Sequence, residues 1–160
     1  MVIEYSKKYD EDIKGLLVEL QQHIMGIDLE KYTKISKDYG NVYFEKVMEE
    51  VNRFEGIIYL YVENDKAVGM IAGIINNEET KSYDFVAPKR GRISELVVSK
   101  SARGKGIGSK LINKMEEHFY NNGCKSILLP VFAYNTSAIE FYERHGYHNR
   151  MLTMIKTIEK

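Results

Sequence analysis

Seven residues, Arg103-Gly104-Lys105-Gly106-Ile107-Gly108-Ser109, follow the apolar triplet Leu96-Val97-Val98 at a short interval. Glycine at every second position lets backbone N–H groups crowd together, and a stretch with helical apolar spacing begins directly behind them. The first turn of a helix carries four N–H groups without intrahelical partners and a dipole worth roughly half a positive charge, so this pattern favours a bound anion. From Lys89 to Lys110 stand seven basic side chains (Lys89, Arg90, Arg92, Lys100, Arg103, Lys105, Lys110) and a single acid, Glu95. Such a local charge suits a pyrophosphate.

Two common phosphate loops do not fit. A Walker A loop places Lys and then Ser or Thr directly after its last glycine, whereas Gly108 is followed by Ser109 and then Lys110. A dinucleotide fingerprint reads Gly-x-Gly-x-x-Gly after a parallel strand; Gly104, Gly106 and Gly108 read Gly-x-Gly-x-Gly, and the elements before them look antiparallel. A second segment lies downstream, Asn135-Thr136-Ser137-Ala138-Ile139-Glu140-Phe141-Tyr142-Glu143-Arg144-His145-Gly146-Tyr147. Together the two segments resemble the GNAT N-acetyltransferase superfamily. The first is similar to its (Gln/Arg)-x-x-Gly-x-(Gly/Ala) signature and the second to its Asn-x-x-Ala-x-x-(Phe)-Tyr-x-x-x-Gly-(Phe/Tyr) signature. Motif-grade similarity spans about Ile93 to Tyr147, and the N-terminal half is matched by element order alone.

The resemblance implies acetyl-CoA as co-substrate and a primary amine, either a small cationic amine or a protein or peptide amine, as acceptor by direct attack. The backbone of Leu96, Val97 and Val98 would bond the pantetheine arm like an added strand, with an N–H near Val97 or Val98 facing the thioester oxygen. Arg103, Gly104, Lys105, Gly106, Ile107, Gly108 and Ser109 would hold the pyrophosphate. Asn135 would contact the pantetheine or the nucleotide end, and Tyr142 would protonate the leaving thiolate. Removing a proton from a lysine-type ammonium, pKa ~10.4, needs a base at neutral pH. Glu95, the only acid on its strand, is the candidate, acting directly or through water; a water chain or another carboxylate is the alternative. Strand alternation places Glu95 and Val97 on one face and Leu96 and Val98 on the other, so a local bulge decides which face meets substrate. A larger acyl group, or a non-catalytic acyl-CoA-sensing or partner-binding module, is the competing reading, and an acid at the sulfur favours catalysis.

The elements that must position these residues follow from periodicity. Val2 to Tyr5 reads as a strand; Ile13, Leu16, Leu17, Leu20 and Ile24 form a helical stripe stopped by Gly26; Phe44, Val47, Met48 and Val51 form a second before Gly56. Two apolar runs around Asn64-Asp65 make a hairpin, and a strand over Ile93 to Val98 enters the glycine turn. Ile107, Leu111, Ile112, Met115 and Phe119 mark a helix ending near Gly123. A strand at Ser126 to Phe132, a helix from Asn135 to Gly146 and a strand region from Tyr147 to Ile158 complete the order β-α-α-β-β-β-α-β-α-β. The expected class is mixed α/β (α+β): one domain over residues 1–160, with a mostly antiparallel central sheet flanked by helices, the GNAT fold. Pro130 cannot donate to a strand ladder and implies a bulge or a strand edge with no neighbour bonded at that point, which fits the splay between central strands that the resemblance implies.

Composition sets the remaining bounds. With 44% hydrophobic and 29% charged residues the chain is an ordinary globular domain. Lys plus Arg and Asp plus Glu number 23 each, so no bulk field recruits nucleic acid. Residues 1–80 hold 9 basic and 16 acidic side chains, however, and residues 81–160 hold 14 and 7. The acidic half, with the loops over Ile27 to Gly40 and Asn76 to Lys89, would draw a cationic acceptor while the basic half holds the anionic co-substrate. Twelve tyrosines against six phenylalanines either line a polar pocket, notably Tyr32, Tyr83 and Tyr134, or only reflect composition. Cys124 is the sole cysteine, which excludes an internal disulfide and suits a reducing compartment, and no signal or membrane segment is read, so a cytoplasmic location is expected. His145 and His148 lack the companions of a metal site, and no metal is expected. Dimers are frequent in the superfamily, and a homodimer is compatible with the resemblance.

Overall fold

The computed structural model describes residues 1–76 and 88–158. The chain opens with strand β1, Val2–Glu4, and a 3-10 turn at Lys7–Tyr9, then helices α1, Asp10–Ile27, and α2, Tyr39–Arg53. Strands β2, Ile57–Glu63, and β3, Lys66–Asn76, form the expected hairpin. Asn64 and Asp65 both take positive φ, 47° and 57°, the geometry a two-residue loop needs to match strand twist. Strand β4, Arg90–Val98, leads through a 3-10 turn at Lys100–Ala102 to helix α3, Ile107–Asn121. A short strand β5, Ser126–Leu128, and helix α4, Thr136–Arg144, follow. The sheet order is β1-β2-β3-β4-β5, antiparallel throughout except for the β4–β5 pair, whose parallel crossover is α3.

Helices cover both faces of this sheet, which is why β3 is apolar without alternation. Met70, Ala72 and Ile74 of β3 join Ile13, Leu17, Phe44 and Val47 beneath α1 and α2. Ile71 and Ile75 join Ile93, Ile107, Leu111, Met115 and Phe119 on the opposite side. Phe119 lies almost flat against the strands because two of them present glycine there. A Cβ on Gly91 would fall 2.4 Å from its ring, and one on Gly73 2.7 Å from both Phe119 and Met115. Helix α3 ends in a Schellman arrangement: Gly123 at φ 76°, with its N–H bonded to Tyr120 O at 2.9 Å and that of Cys124 to Phe119 O at 3.0 Å.

Two expected strands differ. The strand expected over Ser126 to Phe132 stops at Leu128, two residues before Pro130, whose missing N–H cannot continue the ladder. The strand region expected from Tyr147 to Ile158 is not formed: residues 147–158 carry no regular structure, and the five-stranded sheet ends at β5. With β5 three residues long, its own chain offers little edge for a sixth strand. At the first helix, Gly26 does not stop the turn; α1 runs one residue further, to Ile27. The loop from Asn76 to Lys89, including Tyr83, falls largely outside the described residues.

Gly91→Ala should destabilise the fold by about 1–3 kcal/mol, because the ring of Phe119 cannot withdraw from a packed face without strain. A urea midpoint unchanged from that of the parent would show that α3 can lift off the sheet.

Candidate active site

The site is built on the unpaired side of β4. β5 bonds only Arg90, Gly91 and Arg92, whereas β3 continues along β4 to Val98. Residues 93–98 therefore have a strand neighbour on one side only, and the cleft opens on the other. The local bulge lies here: Gly73 pairs with Ile93 and Ala72 with Glu95, so Ser94 is the extra residue, its hydroxyl 3.3 Å from Ala72 O. One inserted residue changes which way the strand faces. Arg92 meets Glu50 of α2 at 3.2 Å, Ile93 sits beneath α3, and Glu95 and Val97 are returned to the α1–α2 side. Strict alternation from Ile93 would have driven Glu95 into the apolar layer under α3.

Glu95 receives a hydrogen bond from Tyr43 Oη at 2.6 Å. Burial pushes its carboxyl above the usual glutamate range; the Tyr43 hydroxyl opposes that, Glu50 adds to it, and Lys46 and Arg92 oppose it. Tyr43 is itself raised by burial and then by the Glu95 charge. Tyr39, one helical turn earlier, stacks on Tyr43 with ring centroids 5.0 Å apart and is pushed up to about 12 by burial and by Glu95. Tyr142 arrives from the other side of the sheet and is also raised to about 12, first by burial and then by the charge of Glu95. The splay between β4 and β5 thus lets a carboxylate from one face and a phenol from the other sense each other.

Tyr142 is placed by the way its helix ends. Gly146 at φ 83° closes α4 in a second Schellman arrangement, Gly146 N to Glu143 O at 2.9 Å and Tyr147 N to Tyr142 O at 3.1 Å. The side-chain contact that accompanies this motif is Tyr142 against Tyr147, centroids 5.8 Å apart, and Tyr147 Oη donates to Glu116 of α3 at 3.0 Å. At the other end Asn135 caps α4, its Oδ1 accepting from Ala138 N at 3.3 Å and from Ser137 Oγ at 3.2 Å.

The glycine loop divides its labour. Gly104 and Gly106 take φ 79° and 71°, and a Cβ on either would meet nothing within 4 Å, so backbone conformation alone demands glycine there. A Cβ on Gly108 would lie 3.2 Å from the Phe141 ring, so Gly108 sets the approach of α3 to α4. Gly106 is the α3 N-cap with no side-chain cap, which leaves the first-turn N–H groups without a side-chain acceptor. Arg103 Nε donates to Val98 O at 3.0 Å, Lys105 meets Glu63 at 3.3 Å, and Lys110 Nζ donates to Tyr61 Oη at 3.4 Å. His145 joins the two helices, Nδ1 at 2.8 Å from Phe141 O and Nε2 at 3.1 Å from Ser109 Oγ. Backbone N–H groups aimed from Gly106 onward, beside basic side chains, have the chemistry of a diphosphate cradle.

Three residues escape a reading of sequence alone. Tyr43 and Tyr39 stand four apart on α2, a spacing that marks a shared face but not what the face meets. Glu19 of α1 accepts from Ser99 Oγ at 3.1 Å and from Lys100 N, and lies 3.9 Å from Arg103 Nη2, so one acid clasps the start of the glycine loop. At the rim, Tyr134 Oη donates to Glu30 at 3.1 Å, bringing the loop after α1 to the loop before α4. A depression of about 680 Å³ between α2 and the β1–α1 turn shares no residue with this cluster. Among the described residues no group of three or more His, Cys, Asp or Glu side chains is gathered for a metal, and no helix is long and apolar enough to cross a membrane.

Comparison with known proteins agrees with this geometry. Residues 20–147 match the Acetyltransferase (GNAT) family. The chain belongs to that family. It is 32% identical over 137 residues to an uncharacterized N-acetyltransferase of Methanocaldococcus jannaschii, a match covering 81% of this chain but only 56% of that protein. The chain therefore spans little more than half the length of that relative. With N-alpha-acetyltransferase 30 of Schizosaccharomyces pombe it shares 28% identity over 147 residues, 91% of this chain and 82% of the other. Among solved structures, the aminoglycoside N-acetyltransferase AAC(6')-Iy in complex with CoA superposes with a TM-score of 0.70 over the whole of both chains at 13% identity, a likeness of fold.

Substitutions at Gly106 should rank by tolerance of left-handed backbone: Asn least destabilising, then Ala, then Val, with Ala costing about 1–2 kcal/mol. Thermal or urea unfolding of the three variants checks the order, and equal stabilities would show that the loop can re-form with φ below zero.

Proposed function

We propose that this protein is an acetyl-CoA-dependent N-acetyltransferase for a cationic primary amine, with Glu95 as the base and Tyr142 as the acid. The observation that supports the reading is a buried Glu95 on the partly unpaired strand β4, whose charge reaches the phenol of Tyr142, beside an α3 start with no side-chain cap. The co-substrate supplies an activated thioester, held at its diphosphate by backbone from Gly104 to Ser109 with Arg103 and Lys105, and along its arm by Leu96, Val97 and Val98. A free N–H of Val97 or Val98 polarises the carbonyl oxygen. Glu95 takes the ammonium proton, directly or through one water, and burial suits it to this by lifting its proton affinity toward that of neutral solution. Tyr142, raised to about 12, keeps its proton at pH 7 and delivers it to the departing sulfur. Asn135 holds the first turn of α4, and thereby Tyr142, at the cleft. Names of relatives support the class: one is called an N-alpha-acetyltransferase, another an aminoglycoside N-acetyltransferase bound to CoA. The acidic first half, with Glu30 at the rim, supports a positively charged acceptor.

Acetyl-CoA-dependent thiol release across polyamines, aminoglycosides, amino acids and peptides should show turnover for cationic amines and little for glutamate or aspartate. Tyr142→Phe and Glu95→Gln should each lower kcat about 10²-fold or more with intact folding. Silence across the whole panel, or unchanged kinetics in both variants, would leave a protein that binds acyl-CoA without this chemistry.

A pH prediction follows from Tyr43. The active form of Glu95 is the carboxylate, so kcat/KM should rise with pH through a Glu95 ionisation lying above the ordinary value of 4.5. Tyr43 stabilises the carboxylate, so Tyr43→Phe should move that acidic limb to higher pH. A limb that stays put or moves lower would remove Glu95 from the proton path.

A further inference from the structure

The end of α4 meets the start of α3 through two side chains whose hydrogen atoms can be counted. At the close of α4 the backbone N–H of His145 bonds Tyr142 O at 2.9 Å, and the carbonyl of Phe141, one of the last of the helix, is met by the ring instead, with Nδ1 of His145 2.8 Å away. A carbonyl oxygen only accepts, so Nδ1 carries a hydrogen whatever the charge of the ring. The other nitrogen, Nε2, lies 3.1 Å from Ser109 Oγ in the first turn of α3. The Phe141 ring, its centroid 4.4 Å from that of the imidazole, closes on Gly108 of α3, so both helices fix the place of the imidazole.

This arrangement ties the direction of the Ser109 hydroxyl to the charge of His145. With a neutral ring, Nε2 has a lone pair and no hydrogen, so Ser109 must donate to it, and its oxygen then offers an incoming anion only lone pairs. With an imidazolium, Nε2 donates to Ser109 Oγ, and the hydroxyl hydrogen is released to donate elsewhere. In a helix each Cα–Cβ bond tilts toward the N-terminus, which carries the Ser109 side chain toward the first-turn N–H groups and the glycine loop. The cations on either side of it sit toward β2, Lys105 at 3.3 Å from Glu63 and Lys110 at 3.4 Å from Tyr61 Oη.

His145 also borders a groove of about 640 Å³, to which α3 contributes Glu116, β4 Arg90, the turn before β5 Cys124 and Lys125, and the chain after α4 His148 and Arg150. Glu143 and Arg144 precede it on its own helix. Glu116 already accepts from Tyr147 Oη at 3.0 Å, and the other charged side chains lining the groove are cations. The anion that an imidazolium at this position would answer is therefore on the α3 side. Resting on the reading of Gly104 to Ser109 as a diphosphate cradle, we propose that His145 is a positioning residue for the co-substrate: it takes up a proton as the diphosphate binds and so turns the Ser109 hydroxyl to donate to it. The proton comes from solvent and ends on Nε2. By linkage, a ligand that favours the protonated ring is itself bound more tightly by it, so affinity for the diphosphate falls as pH rises through the range in which imidazoles lose their charge.

Dephospho-CoA is the probe, because it carries the diphosphate without the terminal phosphate monoester, which itself titrates near neutrality. Its heat of binding to the full chain, measured near neutral pH in buffers of low and high ionisation enthalpy, counts the protons taken up. Net uptake of a large part of one proton is expected, with affinity weakening about tenfold over two pH units around neutrality. His145→Gln, which cannot gain a proton, and Ser109→Ala, which keeps the imidazole and removes the hydroxyl, should each lose that uptake and flatten the pH profile, with circular dichroism showing an intact fold. A purely structural link between the helices would weaken binding in both variants without moving the proton count. Uptake that persists in both belongs to another group, Glu95 among them, and overturns the proposal. Binding by the parent without proton uptake also overturns it while leaving the diphosphate reading in place, and failure of dephospho-CoA to bind removes both.

Discussion

Everything distinctive in this molecule depends on β4 being paired along its whole length on one side and for only three residues on the other. β3 holds the strand in register; β5 leaves it at Leu128, with Pro130 two residues further on. Residues 93–98 thus have no β5 partner on the open side, where Arg103 Nε takes up the carbonyl of Val98. Glu95 belongs to the layer of α1 and α2 and Tyr142 to that of α3, and the Glu95 charge contributes to raising the Tyr142 phenol.

The Ser94 bulge and the glycines around Phe119 are two consequences of packing helices on both faces. Phe119 needs a floor without Cβ atoms, which Gly73 and Gly91 provide, and that fixes Ile93 toward α3. Glu95, two residues later, would then share that apolar face. The inserted residue turns it to Tyr43 instead, where its carboxylate is desolvated but bonded, a condition that raises its proton affinity without leaving a buried charge unpartnered. The bulge is therefore what converts an ordinary core strand into one that presents an ionisable group at a cleft.

Helix ends supply the rest of the geometry. At the start of α3, Gly106 replaces a capping side chain and leaves N–H groups without one; at the end of α4, Gly146 wraps Tyr147 back onto Tyr142 and sets the phenol's position. Glu19, reaching from α1 to the residues just ahead of the glycine loop, couples that loop to the acidic half of the chain.

Periodicity was sufficient for four helices, the Asn64-Asp65 hairpin and the parallel crossover, since burial of an amphipathic face is a local property of spacing. The need for glycine at 104 and 106 was legible for the same reason: positive φ there is a demand of the local backbone, whatever surrounds it. Tyr142 and Glu95 were visible as residue types, but the direction of Glu95 was not, because a one-residue bulge depends on what α3 places against the other face. Tyr43, Tyr39 and Glu19 were illegible for a related reason. Their roles arise from contacts between elements 18 to 81 residues apart, and spacing within one helix carries no information about its partner. The final strand failed most instructively: the region from Tyr147 to Ile158 has the composition of a strand, and composition determines the propensity to pair, while only the tertiary structure decides whether a sheet neighbour is taken up.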